Sequence, residues 1–253
     1  MSLKALIFDV DGTLAETEEA HREAFNKVFA EYGLNWSWSR ELYGQLLLIT
    51  GGKERIRHFL RHHHPDDAAR FIAGDDEVVR MHERKTAIYM DMVRDGSLPL
   101  RPGIERIFNE AREAGVKLAI STTTNTKPLY ALFEGTLGTD VLDSFEAIAA
   151  GDMVAVKKPA PDLYLLALEK LGLPPSQCLA MEDSRNGLVS AGAAGLETLI
   201  TVNTYTEDQD FSEALAIVSD LGEPDQPMRC LRGDLQNLPC VTVTALQTLH
   251  GRQ

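Results

Sequence analysis

The sequence is poor in cysteine, with three in 253 residues: Cys178, Cys230 and Cys240. Their spacing matches no metal-binding pattern, and so few thiols in a chain of this length point to a reducing compartment rather than a disulfide framework. Cys178 falls inside an apolar run and reads as a small core residue. Long hydrophobic runs are missing as well. None approaches the roughly 18 apolar residues that a membrane span requires, and the first residues enter an apolar strand with no signal-peptide pattern, so a cytoplasmic location is expected. Positive charge is scarce. The 25 Lys and Arg stand against 38 Asp and Glu, a net −13, which argues against nucleic acid or an acidic membrane as partner. A small phosphorylated ligand remains compatible, because local cations and a metal outweigh a distant net field. There is no internal repeat and no low-complexity segment. The oligomeric state is left open, with a monomer favoured.

What is present is a series of short, continuous apolar runs. LKALIFD, VKLAIST (116–122), FEAIAA (145–150), CLAMED (178–183) and LETLITV (196–202) lack the alternation of a half-exposed strand and suit a parallel sheet covered on both faces. Helical patterns separate them: Ile104 to Ala114 before Gly115, Asp162 to Leu171 before Gly172, and Asn186 to Ala194 before Gly195. This alternation predicts an α/β fold with a doubly wound parallel sheet. Residues 17–96 break the rhythm. Ala20, Ala24, Phe25, Val28, Phe29 and Tyr32 recur at helical spacing, Ile56, Phe59 and Leu60 mark a second helix, and Val78 to Met92 a third. The expected organisation is a core of residues 1–16 and 97–253 and an all-helical domain of residues 17–96 inserted over the C-terminal edge of the sheet, where ligands of such sheets bind. In the tail, LGEPDQPM reads as a loop, LPCVTV as a short strand and VTALQTLHG as a closing helix. The run His62 to His64 cannot face one ion from one helix and reads as a solvated helix end before Pro65.

Chemistry gathers at the strand ends. DVDGT places Asp9 and Asp11 two residues apart at the mouth of an apolar strand, where paired carboxylates repel and are costly to desolvate. A hard cation such as Mg²⁺ prefers oxygen ligands and cancels that repulsion. More acids should then close another strand, and LAMEDSRNG supplies Glu182 and Asp183. LAISTTTN ends a third strand in Thr122, Thr123 and Thr124, a hydroxyl cluster that suits either an anion or the cap of the following helix. VAVKKPAPDLY sets Lys158 before Pro159 and Pro161, which keep that loop out of helix.

Acid, hydroxyl, lysine and acid, in that chain order, resemble the four motifs of the haloacid dehalogenase-like phosphohydrolase superfamily. The resemblance spans about residues 3–220. It implies a Rossmann-like core with an inserted helical cap. AETEEAHREAF, TGGKERIRHFL, LRPGI, KKPAPDLY and MEDSRNG are similar to its β-phosphoglucomutase-like and CbbY-like sugar-phosphate branch, and closest to CbbY-like phosphatases, which act on sugar bisphosphates such as xylulose 1,5-bisphosphate. The resemblance implies that Asp9 is a nucleophile forming an aspartyl-phosphate. It implies Mg²⁺ held by the Asp9 carboxylate, the Asp11 carbonyl, Glu182 and Asp183. Lys158, Thr122 and the Thr123 amide would hold phosphate oxygens, and the Asp11 side chain would serve as acid and then base. In related enzymes the residues after the first motif and the G-G-K-E-R turn face the core, which nominates Glu18, His21, Gly51, Gly52, Lys53 and Arg55 for substrate binding. Two cations at a helix start oppose the local dipole and favour an anionic ligand. The expected reaction is hydrolysis of a small sugar phosphate, with a sugar phosphomutase as the alternative.

Overall fold

The computed structural model describes residues 2–72, 76–96 and 98–251. The chain divides into two compact units, one of Met1–Glu16 and Leu98–Gln253, the other of Thr17–Ser97.

The first unit is built on seven strands among the described residues: β1 (Ala5–Phe8), β2 (Lys117–Ser121), β3 (Phe145–Ala149), β4 (Cys178–Glu182), β5 (Glu197–Thr201), β6 (Ala216–Val218) and β7 (Cys230–Arg232). Their order is β3-β2-β1-β4-β5-β6-β7, parallel except for the last. All four residues of β1 and all five of β4 are buried, which is why these runs are apolar throughout. Helices α6 (Ile104–Glu113), α7 (Thr126–Thr136), α8 (Asp162–Leu171), α9 (Arg185–Ala193) and α10 (Val243–His250) join or follow the strands. Leu163, Tyr164, Ala167, Leu168 and Leu171 of α8 pack with Ala5, Ile7, Ala119, Ala147 and Ala180 of the sheet.

The second unit is helical, with α1 (Glu18–Glu31), α2 (Arg40–Leu46), α3 (Gly52–His63), α4 (Pro65–Ile72) and α5 (Asp76–Arg94). Aromatics are only 7% of the chain, yet they crowd this small core. Trp38 lies 4.4 Å from Phe25, 5.0 Å from Phe29 and 5.4 Å from Phe59, and Trp36 lies 5.1 Å from Phe71. The histidine run ends α3 as read: His62 and His63 are exposed, and His63 stacks on Phe59 at 5.2 Å.

The tail departs from the sequence reading. LPCVTV is not a strand. Val241 instead donates its amide to Leu221 and Met228 to Pro239, while β6 and β7 supply the extra pairing. Each of these strands has three residues, too few to show a period. The closing helix is present. No helix among the described residues is long and apolar enough to cross a membrane.

The thiols lie in different surroundings. Cys178 is fully buried, and burial pushes its thiol up to about 11, while Cys240 is buried and Cys230 is half-buried. Ellman's reagent on the native protein is expected to modify Cys230 within minutes and to reach Cys178 only on unfolding. Mass mapping that finds Cys178 labelled first would contradict this packing.

Candidate active site

Phe8 is registered with both Ile120 and Met181, so the ends of β1, β2 and β4 lie at one level. Asp9, Thr122 and the Glu182–Asp183 pair therefore emerge side by side. Lys158 arrives from the loop between β3 and α8 and donates to Asp9 Oδ1 at 2.7 Å, Glu182 Oε1 at 2.5 Å and the Ser121 carbonyl at 2.7 Å. An ammonium has three N–H groups, so all of them are engaged. Tyr164, in the first turn of α8, donates to the same Glu182 oxygen at 2.7 Å. Asn203, just beyond β5, donates to Asp183 Oδ2 at 2.7 Å. Carboxylate oxygens of Asp9, Glu182 and Asp183 lie within 4.8 Å of one another, and all three residues are buried.

Two glycines let backbone close on these acids. A Cβ at Gly12, where φ is +82°, would run into the Asp183 carboxylate and the Asn203 amide, and one at Gly187 would run into the Glu182 carboxylate. Gly187 lies in the first turn of α9, whose N-cap Ser184 accepts from the Gly187 amide at 3.2 Å. Glu182 thus sits against the positive end of a helix.

Electrostatics follow from burial. Desolvation pushes the Asp9 carboxyl well above the usual range, Lys158 pulls it down, and Glu182 and Asp11 push it up again. Burial alone would lower the Lys158 ammonium, but Asp9 and Glu182 outweigh it and hold Lys158 above the ordinary lysine value. Burial, then the Glu182 charge, keeps the Tyr164 phenol well above its ordinary value.

The threonines do not cap α7. Asp152 does, accepting from the Thr126 amide at 3.1 Å and hydroxyl at 2.8 Å. Thr122 Oγ1 accepts from the Thr124 amide at 3.0 Å, and Thr124 donates its hydroxyl to Asp11 Oδ2 at 2.5 Å. Thr123 is half-buried, and its carbonyl accepts from Lys157 at 3.1 Å.

In the helical unit, Glu18 and His21 lie one turn apart on α1. Glu18 Oε2 accepts from the Tyr43 hydroxyl at 2.8 Å. His21 stacks on Tyr89 at 3.8 Å, with Nδ1 2.6 Å from the buried Lys85 ammonium. Gly51, at φ +95°, precedes α3, and a Cβ on Gly52 would meet the His82 ring. Arg55 turns inward, donating to the Leu46 carbonyl at 3.1 Å, the Tyr43 hydroxyl at 3.0 Å and the Ile49 carbonyl at 3.4 Å. Lys53 is half-buried and makes no hydrogen bond or ion pair among the described residues.

The family described as "haloacid dehalogenase-like hydrolase" matches residues 3–195. The chain belongs to that family. Like it in sequence are the CbbY proteins of Rhodobacter capsulatus, 50% identical over 221 residues (87% of this chain, 95% of the relative), and of Cupriavidus necator, 49% over 226 residues (89% of each). Among solved structures, CbbY from Rhodobacter sphaeroides is 43% identical at a TM-score of 0.78, covering 86% of this chain and 94% of that one. It was crystallised in complex with phosphate and, as an aspartate-to-asparagine variant, with xylulose 1,5-bisphosphate.

This haloacid dehalogenase-like hydrolase is an enzyme, a phosphatase. Three partners of the candidate residues were not legible in the sequence, two in the sheet unit and one in the helical unit. Tyr164 lies inside KKPAPDLY but reads there as one more apolar helix residue. Asn203 follows a strand with no motif around it. Tyr43 belongs to α2, a helix too short to show a period.

Proposed function

We propose that this phosphatase hydrolyses a small sugar bisphosphate of the pentulose class, such as xylulose 1,5-bisphosphate, through an aspartyl-phosphate on Asp9 and with Mg²⁺. The observation that carries the reading is the strand-end cluster of Asp9, Lys158, Glu182 and Asp183 in a chain 43% identical to a protein crystallised with that bisphosphate. The donor set suits the ion. Of three buried carboxylates, Lys158 meets only Asp9 and Glu182, all the ligand atoms are hard oxygens, and a divalent cation removes the penalty that burial places on Asp9. Asp9, Glu182 and Asp183, with the Asp11 carbonyl, would hold it. When bound, Mg²⁺ neutralises charge on the transferring phosphoryl oxygens.

The chain's own groups do the rest. An Asp9 carboxylate oxygen attacks phosphorus, the bond from phosphorus to the sugar oxygen breaks, and the Asp11 carboxyl gives that oxygen its proton. Water then attacks the phosphoryl group, Asp11 takes a proton from it, and inorganic phosphate leaves as Asp9 returns to carboxylate. Lys158 donates to the Asp9 carboxylate and favours its charged form against burial, and an incoming phosphate oxygen competes for one of its three donors. The Thr122 hydroxyl and Thr123 amide serve the remaining oxygens. Glu18, His21 and the Gly51-Gly52 turn are the proposed sugar contacts, with Lys53 as the cation for the non-reacting phosphate and Arg55 supporting it by holding the 46–49 turn.

Phosphate release across a panel of sugar monophosphates and bisphosphates tests this. A ketopentose bisphosphate is expected to give the highest kcat/KM, and chelation by EDTA to abolish turnover. Lys53→Ala should lower kcat/KM for the bisphosphate by roughly 10- to 100-fold, the worth of a charged hydrogen bond, and barely affect a small monophosphate. Equal losses on both substrates would refute the second-phosphate assignment. An isomerised sugar phosphate with no free phosphate would make the chain a mutase.

A further inference from the structure

Arg101 is a buried cation with no part in the chemistry above. It precedes α6, is 7% exposed, and its guanidinium reaches four segments. Nη1 donates to the Gly12 carbonyl, and to the Thr201 carbonyl at 3.0 Å and hydroxyl at 3.2 Å. Nη2 donates to the carbonyls of Val202 at 2.6 Å and Ser219 at 2.5 Å. Nε pairs with Glu16 at 3.0 Å, a carboxylate 47% exposed. The Arg101 amide itself closes on the Leu14 carbonyl at 2.8 Å.

A buried charge is costly, and one solvent-facing carboxylate offsets little of that. Methionine would fill the space more cheaply. It could not bind four carbonyls from one planar fork. Those carbonyls are informative. Gly12 belongs to the loop that carries Asp11, and Thr201 and Val202 directly precede Asn203. Gly12 and Asn203 both lie against the Asp183 carboxylate: a Cβ on Gly12 would meet Asp183 and Asn203 together, and Asn203 donates to Asp183 at 2.7 Å.

We propose that Arg101 is a positioning residue which, by clamping the loop after β1 to the end of β5, holds Asp183 in register with Asp9 and Glu182 for a divalent cation. The inference rests on the magnesium reading above. Arg101 itself touches none of the proposed ligands and acts through the Gly12 loop that carries Asp11 and through Asn203 on Asp183, so its loss acts on metal affinity more than on the chemical step.

The experiment is a substrate-free Mg²⁺ titration, read by calorimetry and by the metal-dependent rise in Tm, beside the Mg²⁺ concentration for half-maximal phosphate release. For Arg101→Met, both affinity readouts are expected to weaken by about 10- to 100-fold, as for other groups that orient metal ligands, with kcat at saturating Mg²⁺ within a few-fold of wild type. Arg101→Lys keeps the charge but loses the fork and falls between. A lower Tm with unchanged Mg²⁺ affinity in both variants would overturn the proposal, leaving Arg101 a role in stability alone. If Arg101→Met does not fold, Asn203→Ala carries the test. It removes the last link without touching the guanidinium and should show the same weakening, and wild-type affinity there overturns the proposal equally. A wild-type chain with no Mg²⁺ response is a different result, and it overturns the magnesium reading and this inference with it.

Discussion

Asp9→Asn is expected to lower turnover by at least about 10³-fold, because an amide oxygen is a far weaker nucleophile than a carboxylate and cannot yield the acyl-phosphate. The substitution is nearly isosteric, and the fold should tolerate it. The amide oxygen it introduces can still accept from Lys158, as the Asp9 carboxylate does at 2.7 Å. The backbone bond from residue 9 to the Met181 carbonyl, 2.9 Å, is untouched. Burial raises the cost of the Asp9 charge, so removing that charge should leave Tm unchanged or slightly higher. Circular dichroism and a thermal melt check the fold, and phosphate release checks the chemistry. Residual activity above about one per cent of wild type, in protein free of wild-type contamination, would exclude Asp9 as the nucleophile.

Lys158→Met is expected to damage both stability and activity, for separate reasons. The ammonium is the cation between two buried carboxylates, with side chains 4% and 0% exposed for Lys158 and Glu182. Removing one partner of such a pair strands the others and costs about 3–5 kcal/mol, which in a chain of this size lowers Tm by on the order of 10 °C. Part of the loss is relieved when Asp9 takes up a proton. That relief removes the nucleophile, so turnover should fall by at least about 10²- to 10³-fold even where the variant is fully folded. Added Mg²⁺ should recover some Tm and little activity. The pH dependence has a definite sign. Lys158 is held above its ordinary value when folded, so its contribution is fully present below the unfolded lysine pKa and is lost only as pH rises through the folded one. Wild-type stability should therefore not decline in the neutral range on account of this group. A variant with wild-type Tm would show that Lys158 does not compensate the acidic cluster.

The catalytic end of the sheet was legible because β1, β2 and β4 are buried on both faces. Continuous apolar runs announce such strands, and their parallel register brings Asp9, Thr122 and Glu182 to one level without any tertiary knowledge. Pairing at the far edge was not legible. Ala216–Val218 is too short for a period, and LPCVTV is apolar for another reason: Val241 and Cys240 are buried beneath the 221–228 loop rather than laddered. Arg55 shows a different limit. Charge counting at the start of α3 offered it to an anion, but the unrecognised α2 ends just upstream at Leu46, and that carbonyl and the Ile49 carbonyl of the turn beyond accept from Arg55. The C-terminal end of a helix attracts a cation from within the chain, and Arg55 answers it. Lys53, which makes no hydrogen bond or ion pair among the described residues, keeps its charge available.

Both tryptophans of the chain, Trp36 and Trp38, are packed in the helical unit, against Phe25, Phe29, Phe59 and Phe71. Emission excited selectively from tryptophan therefore carries no signal originating in the sheet. Far-ultraviolet dichroism weights every helix and strand. The pair of probes makes this chain its own two-channel reporter: coincident transitions mean one cooperative unfolding event, and separated ones give the stability of each unit without cutting the chain.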